Sequence, residues 1–187
     1  MMSTTFLRHP ALLLAALFCA GAASAQELRS APQPLTALDY AEIEQLVARY
    51  AHALDTCAAN GYDYAELFVP DGRFIVNGRV SAEGREKLAA VAGGGVLDCK
   101  NPNNRPNFKD FIHVHVNHVI VATASGASGR VNLITVGKNG DPTHVVHEGG
   151  YQDEYVRTPQ GWRFRSREHV LDRKAWHSAA VPKPGGK

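Results

Sequence analysis

The sequence predicts an α+β fold in which helices come first and a strongly bent antiparallel sheet follows. Before residue 100, apolar residues recur at the three- and four-residue spacing of helices, whereas from residue 111 onward β-branched segments alternate with turns. The 187 residues suit one domain better than two. Because a bent sheet that wraps a long helix encloses a space, we expect an internal pocket between the two.

Composition narrows the classes of function. Hydrophobic residues make up 44% of the chain and charged residues 20%, which is an ordinary globular balance and excludes a disordered chain. The formal net charge of +2 gives no reason to expect nucleic acid or a membrane as a partner. No internal repeat is present, which argues against a fibrous or solenoid protein. A small exported enzyme or binding domain fits these features.

The first 25 residues have the pattern of a secretion signal. Arg8 lies in a short basic segment, Ala11–Ala20 is apolar throughout, and Ala23-Ser24-Ala25 provides the small residues of a cleavage site. The alternative is a membrane anchor, but the apolar run is shorter than the ~20 residues that a span needs. We therefore expect an exported protein, either periplasmic or secreted.

The expected domain organisation follows from this signal. Residues 1–25 form the signal peptide and 26–34 a loose tail with two prolines. A single domain is expected over 35–175, and a second loose tail rich in proline and glycine over 176–187.

Two cysteines, Cys57 and Cys99, remain after removal of the signal. In an oxidising compartment an even pair predicts a disulfide, and two free buried thiols are the alternative. Their spacing matches no zinc motif.

Helical elements dominate the first half of the chain. Asp39-Tyr40-Ala41-Glu42 resembles a capping box that begins a long amphipathic helix ending near Asp55–Cys57. A short helix is expected at 62–68, followed by a turn at Pro70-Asp71-Gly72 and a short strand at Arg73–Asn77. A further helix is predicted over Ala82–Ala92.

Four strand patterns form the second half. Their expected ranges are Phe111–Ala122, Arg130–Val136, Thr143–Arg157 and Trp162–Leu171. The Gly149-Gly150 pair indicates a bulge or a sharp bend. Along the last strand, Arg163, Arg165 and Arg167 alternate, which predicts one solvated face or an interface.

The first of these strands carries the main candidate residues. Alternation places His113, His115 and Asn117 on one face, and Val114, Val116 and His118 on the other. If the first face lies against the helices, a histidine on it could act as a base near neutral pH. The alternative is that this face is simply solvated.

Asp55 is the second candidate, because a carboxylate at the carboxyl end of a helix is locally unfavourable. It meets the negative end of the helix dipole, at a cost of about 0.3–1 kcal/mol. A residue that local physics disfavours is a candidate for a functional role. A solvated loop position is the alternative.

Several segments in order resemble the SnoaL-like branch of the nuclear transport factor two-like superfamily. The resemblance covers roughly Leu35–Leu171 and rests on these segments: Tyr50–Asp55, Leu67–Phe74, Ile112-His113 with Asn117, Gly150–Tyr155 and Gly161–Phe164. It implies a cone-shaped α+β barrel with an apolar pocket between the bent sheet and the helices. Relatives include scytalone dehydratase, hexachlorocyclohexane dehydrochlorinase and, more distantly, ketosteroid isomerase.

The resemblance also implies roles for particular residues. Asp55 and His113 match a catalytic pair in which the histidine moves a proton and the carboxylate stabilises the imidazolium. Tyr50, Asn117 and Tyr151 match pocket positions that could bind substrate. His115 shares the face of His113 and is a weaker candidate. A homodimer formed through the open sheet face is implied as well, with His118 and the apolar residues Val114, Val116 and Ile120 at the interface.

Together these features predict a cofactor-independent acid–base enzyme with a small apolar or cyclic substrate. A lyase (a dehydratase or another β-elimination) or an isomerase is the expected class. The alternative is a non-catalytic small-ligand-binding or accessory domain, because this fold also serves without catalysis. His113 and His115 could bind zinc together with His144 or His147, because three histidines can hold this metal. We nevertheless expect no metal site.

Overall fold

A computed structural model of the chain describes residues 32–101, 111–137 and 144–183, without the side chains of residues 144 and 146–148. The predicted signal peptide and most of the first tail lie outside these residues, as does the predicted turn at 139–142. Among the described residues, no helix is both long enough and apolar enough to cross a membrane.

Three of the four described α-helices lie in the first half, as predicted, and the fourth follows the last strand. Four α-helices are described: α1 (Ala37–Thr56), α2 (Tyr62–Ala65), α3 (Arg85–Val91) and α4 (Arg173–Ser178). Short 3₁₀ turns at Ala58–Gly61 and Gly95–Leu97 flank α2 and α3.

Six strands form one curled, unclosed sheet beside these helices. They are β1 (Phe68–Val76), β2 (Arg79–Glu83), β3 (Phe111–Thr123), β4 (Gly126–Gly137), β5 (His144–Thr158) and β6 (Gly161–Val170). The strand order is β2-β1-β6-β5-β4-β3, so the meander β3 to β6 continues into the β1–β2 hairpin. The α+β class is confirmed, although β1 pairs with β6 in parallel rather than antiparallel.

Helix α1 begins three residues before the predicted capping box. Thr36 is the N-cap: its hydroxyl accepts from the Asp39 amide at 3.2 Å, and the Asp39 carboxylate accepts from the Thr36 amide at 2.8 Å. Asp39 is therefore the third helical residue of the capping box, whereas the sequence pattern predicted it as the N-cap residue. Its other oxygen accepts from the Trp162 indole at 3.0 Å, which ties the start of α1 to β6.

The segment between α2 and α3 is more extended than predicted. Pro70-Asp71-Gly72 lies within β1, and an Asn77-Gly78 turn with positive φ at both residues joins β1 to β2. The first residues of the predicted Ala82–Ala92 helix belong instead to strand β2, and the helix that forms is the shorter α3. The Asn-Gly pair was the hairpin signal in the sequence.

The core lies between α1 and the inner face of the sheet. The apolar stripe predicted for α1 is buried there, and aromatic residues from β5 and β6 pack against it. The large apolar and aromatic residues that are fully buried in this layer include Ile43, Tyr50, Tyr151, Tyr155, Phe164 and Leu133.

The domain continues past residue 175, where a loose tail was predicted. Trp176 of α4 is 4% exposed and packs directly on Gly150, where a Cβ would lie 2.1 Å from the indole. Arg130 stacks on the same indole at 3.8 Å and donates to the Trp176 and Ala179 carbonyls. Gly150 thus provides room for a helix, and the β4–β5 ladder stays in register beside it.

The substitution Gly150→Ala should therefore displace α4. A methyl group would overlap the indole, and we expect a loss of about 1–3 kcal/mol in the free energy of unfolding. Chemical denaturation measures this loss. In a W176A background the same G150A change should cost little, whereas an equal cost in both backgrounds would contradict the packing argument.

The predicted disulfide is present between Cys57 and Cys99, whose Cα atoms are 6.2 Å apart. Cys57 has a φ of +52° and ends α1 in the left-handed conformation. The bond attaches the end of α1 to the segment after α3, where the Cys99 amide also donates to the Asn60 side chain at 3.0 Å.

Removing this disulfide should lower stability substantially. The bond closes a loop with a sequence separation of 42, for which the loop-entropy model predicts roughly 3–4 kcal/mol. We expect the C57A/C99A protein to unfold at correspondingly lower denaturant concentration. Mass spectrometry of non-reduced peptides checks the bond directly, and two free thiols in protein from an oxidising compartment would refute it.

Candidate active site

Asp55 and His113 form a close pair where the last turn of α1 meets the start of β3. The Asp55 Oδ1 and His113 Nδ1 atoms are 2.5 Å apart, and the His113 backbone amide donates to Asp55 Oδ2 at 3.1 Å. The two side chains are 17% and 8% exposed, respectively. The carboxylate therefore fixes both the position and the tautomer of the ring, with the proton on Nδ1. In the neutral ring, Nε2 is then the nitrogen that can accept a proton.

Three of the four predicted binding residues lie in the core beside this pair. The Tyr50 and Tyr151 rings meet edge to face at 5.5 Å between centroids, and the His115 ring lies 5.9 Å from Tyr50 and 5.4 Å from Tyr151. Burial raises the pKa of both tyrosines well above the ordinary value, so their hydroxyls keep their protons at neutral pH. They can donate hydrogen bonds but cannot serve as bases.

His115 differs from His113 in its chemistry. Burial, with smaller contributions from Arg167 and His113, lowers the pKa of His115 to about 2, against an opposing effect of the Val47 backbone. The His115 ring is therefore neutral at physiological pH. It suits hydrogen bonding in the core rather than proton abstraction.

The structure places Asn117 on the other side of the sheet, which corrects the prediction that it shares a face with His113 and His115. Asn117 has a φ of +56° and is exposed, and the β3–β4 register shifts between Val116 and Val119. This β-bulge adds one residue to β3, so the side chains after it point to the opposite face from the one that strict alternation predicts. His118, predicted at the outer interface, consequently points inward with its side chain 5% exposed.

Arg167 is the main site residue that sequence reasoning missed. It was predicted on a solvated face, yet it is 0% exposed. Its guanidinium carbon lies 3.9 Å from the ring centroids of both Tyr50 and Tyr151. A second register shift, at Arg165 in the β5–β6 pairing, turns Arg167 inward.

The charge of Arg167 is balanced by Asp153. Its Nε lies 3.6 Å from Asp153 Oδ1, and neither side chain is exposed. None of the three guanidinium nitrogens has a hydrogen-bond partner within the described part of the chain. Burial opposes the charge, but Asp153 and the surrounding tyrosines outweigh burial, so the pKa of Arg167 is raised. The core thus holds a permanent cation that can still accept an anionic or polar partner.

We define the inner site as Asp55, His113, Tyr50, Tyr151, His115 and Arg167. It combines a proton acceptor, protonated phenols and a buried cation in one water-poor region. Across residues 32–101, 111–137 and 144–183, no three His, Cys, Asp or Glu side chains come together as a metal site. The side chains of His144 and His147 lie outside the described residues.

A cavity of about 600 Å³ lies on the outer face of the sheet, beneath α4. Sheet residues and the C-terminal segment line it: Val116, Asn117, Asn132, Ile134, Val145 and Trp176. The cavity and the inner site are separated by the sheet. We take the inner site as the candidate active site because the titratable pair is there.

Residues 35–168 match the model of the SnoaL-like domain, so the chain belongs to the SnoaL-like family. Members of this family bind small molecules. No curated protein sequence matches the chain.

Solved structures share the fold. An NTF2-like protein with a cystatin-like fold from Novosphingobium aromaticivorans is 25% identical with a TM-score of 0.61, over 73% of this chain and 83% of that one. A protein from Catenulispora acidiphila, solved in complex with S-DNPA, is 26% identical with a TM-score of 0.55, over 72% and 95%. A protein labelled a scytalone dehydratase, also from N. aromaticivorans, is 20% identical with a TM-score of 0.56, over 80% and 95%. At that identity the last likeness concerns the fold alone.

Proposed function

We propose that the protein is a cofactor-independent acid–base enzyme, either a lyase that performs a β-elimination such as dehydration or an isomerase. Its substrate would be a small, mostly apolar or cyclic molecule. The observation that supports this proposal most directly is the 2.5 Å contact between Asp55 Oδ1 and His113 Nδ1. A carboxylate on one ring nitrogen is the arrangement that makes the other nitrogen an effective base.

In the proposed reaction, His113 Nε2 accepts a proton from a substrate carbon. The electron pair of the broken C–H bond forms the new double bond, and the leaving group departs with its own bonding pair. For hydroxide, the His113 proton can be returned to the leaving oxygen, which gives water. An isomerisation would instead return the proton to a different carbon. Asp55 stabilises the imidazolium, and Arg167 stabilises negative charge that develops on the substrate.

A screen in deuterium oxide tests this proposal. The protein is incubated with a panel of small hydroxylated or halogenated cyclic compounds, and elimination or exchange of C–H for C–D is followed by NMR. Any compound that the wild-type protein converts should be left unchanged by the H113A protein. Conversion at the same rate by both proteins would refute the dyad mechanism.

The second candidate is non-catalytic binding of a small ligand, and the cavity beneath α4 favours it. Its volume of about 600 Å³ suits a small organic molecule. Chemical-shift mapping separates the two functions. A ligand that perturbs Val116 and Ile134 but not Tyr50 or His113 would favour the binding module.

We also propose a homodimer that uses the outer face of the sheet. Four apolar side chains on this face are between 37% and 62% exposed: Ile112, Val114, Val119 and Val145. This set differs in part from the predicted one: Val114 and Val116 stay on the outer face, whereas the bulge turns His118 and Ile120 toward the core. Light scattering should give twice the mass of one chain at micromolar concentration, and V114E should shift it to the mass of one chain. A wild-type protein with the mass of one chain would contradict the dimer.

Export is proposed from the signal pattern and from the disulfide, which is typical of oxidising compartments. The mature protein should begin at Gln26 and appear in the exported fraction. Amino-terminal sequencing of that fraction tests both points.

A further inference from the structure

Four side chains form a continuous polar chain from the surface to the core. His118 Nδ1 lies 3.1 Å from Glu44 Oε1 on α1, and His118 Nε2 lies 3.0 Å from the Tyr155 hydroxyl on β5. The Tyr155 hydroxyl in turn lies 2.7 Å from Asp153 Oδ2. We call Glu44, His118, Tyr155 and Asp153 the Glu44–Asp153 chain.

Burial increases steeply along this chain. The Glu44 side chain is 52% exposed and that of His118 is 5% exposed. Tyr155 is 1% exposed, and Asp153 is fully enclosed beside Arg167. The chain therefore links a carboxylate in contact with water to the counter-charge of the buried cation.

In the first proton arrangement, Asp153 is ionised. The Tyr155 hydroxyl then donates to Asp153, so the Tyr155 oxygen must accept from His118 Nε2–H. His118 Nδ1 lies 3.1 Å from Glu44 Oε1 without a hydrogen bond to it, so Glu44 acts there through its charge, which favours a proton on Nδ1 as well. His118 is then an imidazolium between two anions.

A second arrangement has the same number of protons. The Tyr155 hydroxyl donates to His118 Nε2, and a protonated Asp153 donates to the Tyr155 oxygen. His118 is then neutral, with its proton on Nδ1 toward Glu44. The two arrangements differ by one transfer along the chain: Nε2–H passes to the Tyr155 oxygen while the Tyr155 proton passes to Asp153.

We propose that His118, Tyr155 and Asp153 form a proton relay that adjusts the counter-charge of Arg167 from the surface of the protein. When the proton lies on His118, Asp153 is an anion and neutralises Arg167. When it lies on Asp153, Arg167 has no local counter-ion and attracts an anionic group more strongly. The relay concerns the resting protein and does not depend on the proposed function.

The surroundings favour two accessible states. Burial raises the pKa of the Asp153 carboxyl, although Arg167 and Tyr155 oppose that effect. Burial also raises the pKa of Tyr155, so the bridging hydroxyl retains its proton in both states. The other charged or titratable groups that act on the relay are His115, Tyr64, Tyr151 and Arg167.

The test compares the protonation of Asp153 in the E44Q protein and in the wild type at neutral pH. Isotope-edited infrared spectroscopy of carboxyl-labelled aspartate separates the protonated from the ionised form, and D153N identifies the bands. Removing the Glu44 charge withdraws a partner of imidazolium His118. We expect the ratio of protonated to ionised Asp153 to rise roughly two- to fivefold, as expected for loss of a partly exposed ion pair.

The Y155F substitution removes the bridging hydroxyl and keeps the ring, so E44Q should no longer change the Asp153 ratio in that background. Y64F, which removes another buried hydroxyl outside the chain, should preserve the response. Nitrogen NMR of His118 provides a second readout, in which Nε2 should lose proton occupancy as Asp153 gains it. An unchanged Asp153 ratio in E44Q, an equal response with and without the Tyr155 hydroxyl, or no reciprocal change at Nε2 would overturn the relay.

Discussion

Replacing His113 with alanine is expected to reduce turnover of the substrate by roughly 10²–10⁴-fold, the usual contribution of a positioned general base. The substitution removes the proton acceptor but leaves the backbone amide of residue 113, which donates to Asp55. Folding should therefore change little. Steady-state kinetics together with a thermal unfolding curve measure both effects.

The Asp55→Asn substitution should also lower turnover severely. It keeps the shape of the side chain but removes the charge that stabilises the imidazolium, and its amide can present the wrong hydrogen-bonding group to His113 Nδ1. H52A is a suitable control, since His52 is exposed on the same helix. Wild-type kinetics in H113A or D55N would show that the pair is structural.

The Asp55–His113 pair was predictable from sequence because both residues lie in segments with regular helical or strand periodicity. Asp55 stands at the end of a helix whose apolar stripe is regular over its whole length. His113 lies near the start of β3, before the bulge at Asn117, so strict alternation still assigns its face correctly. The disulfide was predictable for a different reason, namely the even count of cysteines that remains once the predicted signal peptide is left out.

The inward positions of His118 and Arg167 were not predictable because two β-bulges reverse the parity of alternation. Asn117 shifts His118 to the inner face, and Arg165 does the same for Arg167. Neither bulge has a glycine that could mark it in the sequence. His118 and Arg167 each follow one of these bulges, which explains why period-two alternation assigned His118 to an interface and Arg167 to a solvated face or an interface.

The register shift at Arg165 buries the charge of Arg167, and this burial costs free energy that other interactions must offset. A fully buried guanidinium loses the hydration of its charge, and the faces of Tyr50 and Tyr151 compensate only in part. Asp153 is the anion nearest to it, at 3.6 Å, in the described residues. The stability of the core should therefore depend on Asp153 much more than on exposed carboxylates of the same strand.

Replacing Asp153 with leucine should accordingly destabilise the protein by about 3–5 kcal/mol, the range for removing one partner of a buried ion pair. Chemical denaturation measures the loss. Glu154→Leu is the matched control, since it removes a neighbouring carboxylate from β5 that is exposed to solvent, and it should cost far less. The double variant D153L/R167M should recover most of the lost stability, because no charge is then left unpaired in the core. If D153L alone were tolerated as well as E154L, Arg167 would have to be neutralised by another group, and the ion pair would not be what stabilises the cation inside the sheet.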